Sequence, residues 1–250
     1  MKERKKERTK EKKRVHAASC LGQVEIVKLL LAHPKINVNV KNSSGQTPLL
    51  IACQKGQVSV VQELLKDPRV DVTLEDDKGR TPLWWASSNG NREVIEWINA
   101  SGRDLGDVRN KKGKDWDDKD YSALEIASEY ERTEVVSLLE RFLANPALTR
   151  HELRVKFGVL DELAAEVFAL TVFLCDDLLQ LKPAPTTTTA AAAASASQFF
   201  TIISKLPMEL QMVLCHRAVG SMKQNILHKD SEVAFKSLAS ILLQHPPQSS

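Results

Sequence analysis

A chain that repeats itself at a fixed interval folds as a stack of like units, and this chain does so at 34 residues. Thr47-Pro48-Leu49-Leu50-Ile51-Ala52 returns as Thr81-Pro82-Leu83-Trp84-Trp85-Ala86. Gly56 and Gly90 follow the alanines, then Val60-Val61 and Val94-Ile95, then Leu64 and Ile98. An earlier copy, Val15-His16-Ala17-Ala18 with Gly22, Ile26-Val27 and Leu30, lies another 34 residues upstream. A fourth, Ser122-Ala123-Leu124-Glu125-Ile126-Ala127 with Val135-Val136 and Leu139, lies 41 residues after the third.

Each copy obeys the same physics. Thr-Pro starts a helix, because proline in the first turn gives up an N–H that has no helical partner there. Ala18, Ala52, Ala86 and Ala127 are small enough for a neighbouring helix to approach closely. Gly22, Gly56 and Gly90 end the first helix in the left-handed conformation of a C-terminal cap. The apolar pairs that follow form a second amphipathic helix. Asn42-Ser43-Ser44-Gly45 and Asp76-Asp77-Lys78-Gly79, ahead of each Thr-Pro, have turn chemistry. Trp84 and Trp85 are adjacent on a helix and point about 100° apart, so the pattern predicts one in the core and one exposed.

The pattern resembles the ankyrin repeat over residues 14–144, where T-P-L-H-x-A recurs at a period near 33. Only His16 keeps the family histidine; Leu50, Trp84 and Glu125 replace it elsewhere. The fourth copy reads as degenerate, with Ser122-Ala123 for Thr-Pro, Asp120 at the turn glycine and Glu131 at the helix-ending glycine. The first copy lacks its own turn. The resemblance implies an all-α solenoid of helix–turn–helix repeats joined by β-turn loops. It also implies that a protein partner binds turn tips and first-helix residues lining a concave face. Carried over by position, the tips are Ser43, Ser44 and Gln46, then Asp77, Lys78 and Arg80, then Asp118, Lys119 and Tyr121. The helix positions are Gln54 and Lys55, Ser88 and Asn89, and Glu129 and Tyr130. Any one of these residues also fits a plain solvated surface. Trp116 sits in the charge-dense insertion Ser101–Asp120, where it reads either as a binding anchor or as packing on the loop's own stem.

Outside the repeats the organisation is as follows. Residues 1–13 form a basic arm; residues 1–14 carry nine Lys/Arg and three Glu, whose spacing favours a solvated helical extension. Residues 145–182 read as capping helices, with a capping box at Thr149-Arg150-His151-Glu152 and a nearly all-apolar helix from Leu160 to Leu181 expected on the outer face of the fourth repeat. Residues 183–197 (PAPTTTTAAAAASAS) are a low-complexity linker. Residues 198–245 hold two helical patterns, 198–219 and 231–243, too few to make a core alone and expected to dock on Leu160–Leu181. Together these make a C-terminal helical module.

Chemistry is not legible in the chain. It has no phosphate-binding glycine loop, H-E-x-x-H or paired-cysteine motif, so the expectation is a non-catalytic binding module or scaffold. Cys215 and His216 are neighbours on a predicted helix, where their side chains diverge. Asp115–Asp120 has the acidic spacing of a calcium loop, but Asp120 fills its glycine slot and Ile126 its glutamate slot, so no metal or cofactor is expected. Four scattered cysteines in apolar contexts fit reduced thiols, and no secretory signal or membrane span is read, which points to the cytoplasm or nucleus. Two other readings attach to particular segments. The arm could attract nucleic acid, though its glutamates oppose this. Leu206-Pro207-Met208-Glu209-Leu210 resembles the opening of an F-box, which would imply a ubiquitin-ligase adaptor. Partner identity and oligomeric state do not follow from the sequence. The repeat register itself is testable: Ala86→Leu should overpack the first helices and cost about 1–3 kcal/mol in chemical denaturation. Unchanged stability would overturn the register.

Overall fold

In the computed structural model, which describes residues 14–175, 199–200, 202–203, 206, 208–221, 223 and 226–244, each Thr-Pro string opens a helix. The basic arm, the linker and residues 176–182 lie outside the described residues. The chain divides into two units between Leu153 and Arg154.

The first unit holds four helix pairs. Helical residues 14–21 (α1) precede α2 (Val24–Leu31); α3 (Pro48–Lys55) precedes α4 (Val58–Lys66); α5 (Pro82–Ser88) precedes α6 (Arg92–Ala100); α7 (Ala123–Glu129) precedes α8 (Thr133–Ala144). The Thr47 and Thr81 side-chain oxygens accept the N–H groups of Leu50 (3.3 Å) and Trp84 (3.1 Å), capping α3 and α5. The fourth copy starts equally well. Ser122 accepts the Glu125 N–H (3.2 Å) while the Glu125 carboxylate accepts the Ser122 N–H (2.7 Å), a full capping box.

The first helices end alike. Gly22, Gly56 and Gly90 have φ near 70°, and the next residue's N–H reaches back to the carbonyl of Ala18, Ala52 or Ala86, at 2.9 Å each time. Glu131 takes the same turn in the fourth copy at φ 54°, with Arg132 N–H on Ala127 O at 2.8 Å. Glycine is needed for space as well as for φ. A Cβ on Gly56 would lie 2.8 Å from Asn91 Oδ1, and one on Gly90 would lie 2.9 Å from Arg132 Cδ.

Those close neighbours join the repeats. Gln57 Nε2 donates to Cys20 O, Asn91 Nδ2 to Cys53 O and Arg132 Nε to Ser88 O, so each repeat serves the carbonyl end of the preceding first helix. Arginines do the same for the second helices. Arg69 donates to Leu31, His33 and Pro34 carbonyls at the end of α2, and Arg103 donates to Leu65, Asp67, Pro68 and Val70 carbonyls at the end of α4. Arg150 Nε reaches Asn99 O at the end of α6, and Arg109 reaches Leu143 O near the end of α8. Apolar packing follows the same translation: α3 on α5 on α7, and α2 on α4 on α6 on α8.

Leu50, Trp84, Trp85 and Ile126 form one buried cluster across the first helices. Both tryptophans are therefore core, contrary to the split expected from their adjacency. The turns wall in the second one: Trp85 Nε1 donates to Asp76 (3.1 Å), and Trp84 Nε1 donates to Tyr121 O (2.9 Å). The insertion before the fourth copy contains a hairpin, β1 (Lys112–Lys114) antiparallel to β2 (Asp120–Ser122), with Gly113 opposite Tyr121.

Helix Pro146–Lys156 starts four residues earlier than the Thr149 capping box predicts. Asn145 Oδ1 accepts the Leu148 N–H at 3.0 Å, and Thr149 is buried inside the helix with its hydroxyl on Arg141 O. A local Asn-Pro start won over a Thr-x-x-Glu pattern one turn later. In the second unit, helices Met208–Ala218 and His228–Gln244 pack on Val159–Cys175. Phe168, Ile203 and Cys215 form one cluster there, and Ala165, Ala169 and Ala234 another. The pattern read as a single helix over 198–219 is interrupted by a bend at Leu206. The last helix begins at His228, three residues before the pattern read over 231–243. No helix among the described residues is long and apolar enough to cross a membrane.

Arg103→Ala removes four hydrogen bonds to the end of α4 and should cost about 2 kcal/mol. Equilibrium denaturation checks this; a loss below about 0.5 kcal/mol would mean water replaces the guanidinium freely.

Candidate functional site

Three turns stand in a row at the entrance to the first helices. In each, a residue with a short acidic or amide side chain opens the turn and one with positive φ closes it. The pairs are Asn42 with Gly45 (φ 72°), Asp76 with Gly79 (φ 75°), and Asp115 with Asp118 (φ 56°). The same two backbone bonds recur: Gly45, Gly79 and Asp118 N–H donate to the opening residue's carbonyl, and the opening residue's N–H donates to Gln46, Arg80 or Lys119 O. Neighbouring turns bond directly, Asp77 N–H to Ser44 O (3.3 Å) and Lys114 N–H to Lys78 O (2.9 Å).

This fixes the register of the fourth turn two residues earlier than the sequence reading placed it. The turn-closing position is Asp118 rather than Asp120, since aspartate tolerates the left-handed conformation. Asp120 and Tyr121 then extend the chain as β2 before the Ser122 cap. Trp116 and Asp117 hold the tip places that Ser43-Ser44 and Asp77-Lys78 hold in the earlier repeats. Asp118, Lys119 and Tyr121 lie just beyond the tip. The shift was invisible because Ser122-Ala123 aligns cleanly with Thr-Pro, while the extra residues fall between turn and helix.

Ser43, Ser44, Lys55, Asp77, Asn89, Trp116, Asp118, Lys119 and Glu129 are exposed, and Gln46, Gln54, Lys78, Tyr121 and Tyr130 half-buried. Gln46 Nε2 donates to Gln54 Oε1 (3.3 Å), and Lys78 pairs with Asp118 (3.5 Å) across two tips. Arg80 and Ser88 are buried, contrary to their reading as surface positions. Arg80 Nε donates to Asp76 Oδ2 at 2.8 Å, inside the turn it belongs to. Its guanidinium carbon lies 4.2 Å from the Trp85 ring centroid and 5.7 Å from those of Trp84 and Trp116. A tip arginine thus becomes the floor beneath an exposed indole.

Five of the expected residues, Gln54, Ser88, Asn89, Trp116 and Tyr130, line one cavity of about 300 Å³. Trp85 and Arg132 complete it; neither was expected there. Trp116 is 68 % exposed and meets Trp85 edge-on with centroids 6.4 Å apart, so it packs on the site and stays open to solvent. Tyr130 donates its hydroxyl to Asp115 Oδ2 at 2.7 Å. That hydrogen bond, then burial and the nearby Asp115 and Asp117 charges, pushes the Tyr130 phenol up to about 12. Asp115 itself is buried, and its Oδ1 has no hydrogen-bond partner among the described residues.

Elsewhere, the Cys215 side chain is fully buried, and burial pushes its thiol up to about 11, so it is not a thiolate at neutral pH. His216 is buried beside it in sequence. Among the described residues no group of three or more His, Cys, Asp or Glu is placed to hold a metal ion.

Residues 15–109 match the family model for ankyrin repeats, in three copies. They are ankyrin repeats, and the fourth helix pair continues the same geometry beyond the matched segment. No curated protein matches the chain.

Tyr121 and Tyr130 are the only two tyrosines, so phenol ionisation can be followed by ultraviolet absorbance. One step should come near pH 12, and Asp115→Asn should return it toward the ordinary value of about 10. The folded pKa is raised, so the stability it carries is complete below pH 10 and disappears as pH rises through 12. The absence of a step near pH 12 would overturn the pairing.

Proposed function

We propose that, with residues 15–109 as its ankyrin segment, the chain binds a partner protein through the face made by its turn tips and first helices. Ankyrin repeats are protein–protein interaction modules in general. One observation carries it. A tryptophan 68 % exposed stands at a turn tip, beside a cavity lined by four other residues at partner-facing positions of the repeat. Exposing an indole costs the solvation free energy that burial against a partner would recover, and tryptophan dominates such interfaces.

Within this reading residues 14–144 present the face. Segments 145–182 and 198–245 form the helical module, 183–197 link its parts, and 1–13 add a charged arm in a protein of the cytoplasm or nucleus. Work at the face is recognition without covalent chemistry.

The test is affinity capture with the intact protein beside a Gln54→Ala, Trp116→Ala variant, its fold verified by circular dichroism. Loss of a partner from the variant alone is expected. Retention of every partner would move binding to the arm or to the C-terminal helices.

A further inference from the structure

The cavity beside Trp116 has a chemistry that selects what enters it. We infer that it receives an arginine or lysine side chain of the partner, seated against the exposed indole and balanced by Asp117 and Glu129. The inference rests on the face proposed above and adds the kind of partner: a segment with a basic residue at its anchor point.

Three observations lead there. The first is that Trp116 already lies near one cation, with the Arg80 guanidinium 5.7 Å from its centroid while 68 % of the residue faces solvent. An indole face attracts a second cation by the same quadrupole. The second is the local charge. Residues 115–132 hold seven Asp/Glu against two Lys/Arg. Lys78 takes up Asp118 and Lys112 takes up Glu125, while Asp117, Asp120, Glu129 and Glu131 are exposed with no ion pair among the described residues. Glu129 stands where Gln54 and Ser88 stand in the preceding repeats; it precedes the lining Tyr130 in the chain, as Asp117 follows the lining Trp116.

The third observation is independent of both. Asp115 is 6 % exposed, its Oδ2 is held by the Tyr130 hydroxyl that lines the cavity, and its Oδ1 lacks a donor. A buried carboxylate oxygen without a donor is costly, and a nearby cation offsets that cost. Arg132 is the opposing charge in the lining; its Nε is committed to Ser88 O at 3.3 Å, the service Gln57 gives two repeats earlier. An apolar or acidic anchor would leave these carboxylates uncompensated or repelled.

The experiment titrates the folded full-length protein with the pentapeptide acetyl-Gly-Ser-Arg-Ser-Gly-amide and follows the four tryptophan indole N–H resonances. Peptides with norleucine or glutamate in place of the arginine serve as controls. The expected result is a saturable shift of the Trp116 resonance by the arginine peptide alone, weakened roughly threefold or more in Asp117→Asn, Glu129→Gln. Arg132→Gln, which installs the residue type found at position 57, should tighten it. Equal binding of the norleucine peptide, or no shift up to roughly 10 mM arginine peptide, would overturn the inference. A partner lost from the Gln54→Ala, Trp116→Ala variant but bound normally by Asp117→Asn, Glu129→Gln would also overturn it, while leaving the binding face in place. Arginine-specific binding together with partner capture indifferent to Trp116 would instead sustain the cation site and reject the face.

Discussion

A helix of seven to nine residues has four carbonyls at its end with no partner inside the helix, so close to half of its acceptors depend on something outside it. In this protein the following repeat supplies most of the side-chain donors. Gln57, Asn91 and Arg132 serve the first helices, and Arg69 and Arg103 the second. The helix-ending glycines follow from the same need, because a donor that reaches the carbonyl end leaves no room there for a Cβ. The repeat spacing is thus fixed by hydrogen bonding as much as by apolar packing, and neither helix pair nor turn is satisfied alone.

The binding face is built on this stack through a buried pair. Asp76 accepts the Lys78 and Arg80 N–H groups with one oxygen, and Arg80 Nε and Trp85 Nε1 with the other. A buried ion pair is weak evidence for stability, since desolvation offsets much of its attraction. Its value here is positional. It holds the guanidinium over the Trp85 ring, 4.2 Å from its centroid, and within 5.7 Å of the Trp116 ring from the next turn. The tip indole is therefore presented by a stack of three side chains from two turns and a helix.

Repeats were legible because translation by 34 residues is a sequence property: helix starts, small contact residues and terminating glycines all sit at fixed offsets. What escaped was whatever depends on the third dimension. Arg80 looks like any polar tip residue until Asp76 and Trp85 are seen around it. The fourth turn was misplaced because Asp118 does a glycine's work and two residues of strand intervene before Ser122. Arg69 and Arg103 are themselves 34 residues apart and could have been found by aligning the loops as carefully as the helices. Trp116 was found by residue type alone, but the cavity at its side draws Gln54, Ser88 and Tyr130 from three different repeats, and no spacing rule brings those together.

The donor ladder in the matched repeats has a prevailing direction: Gln57, Asn91, Arg69 and Arg103 all serve carbonyl ends that come earlier in the chain. A ribosome delivers the chain in that same order. Each newly emerged helix pair must therefore wait for these side-chain donors until about 34 more residues arrive. At common synthesis speeds that is a lag of roughly 2–7 s per repeat. Growth in the opposite sense would present donors first, on flexible side chains that water serves well. The array closes behind itself like a zip drawn from the start of the chain, and the growing end is always its least settled part.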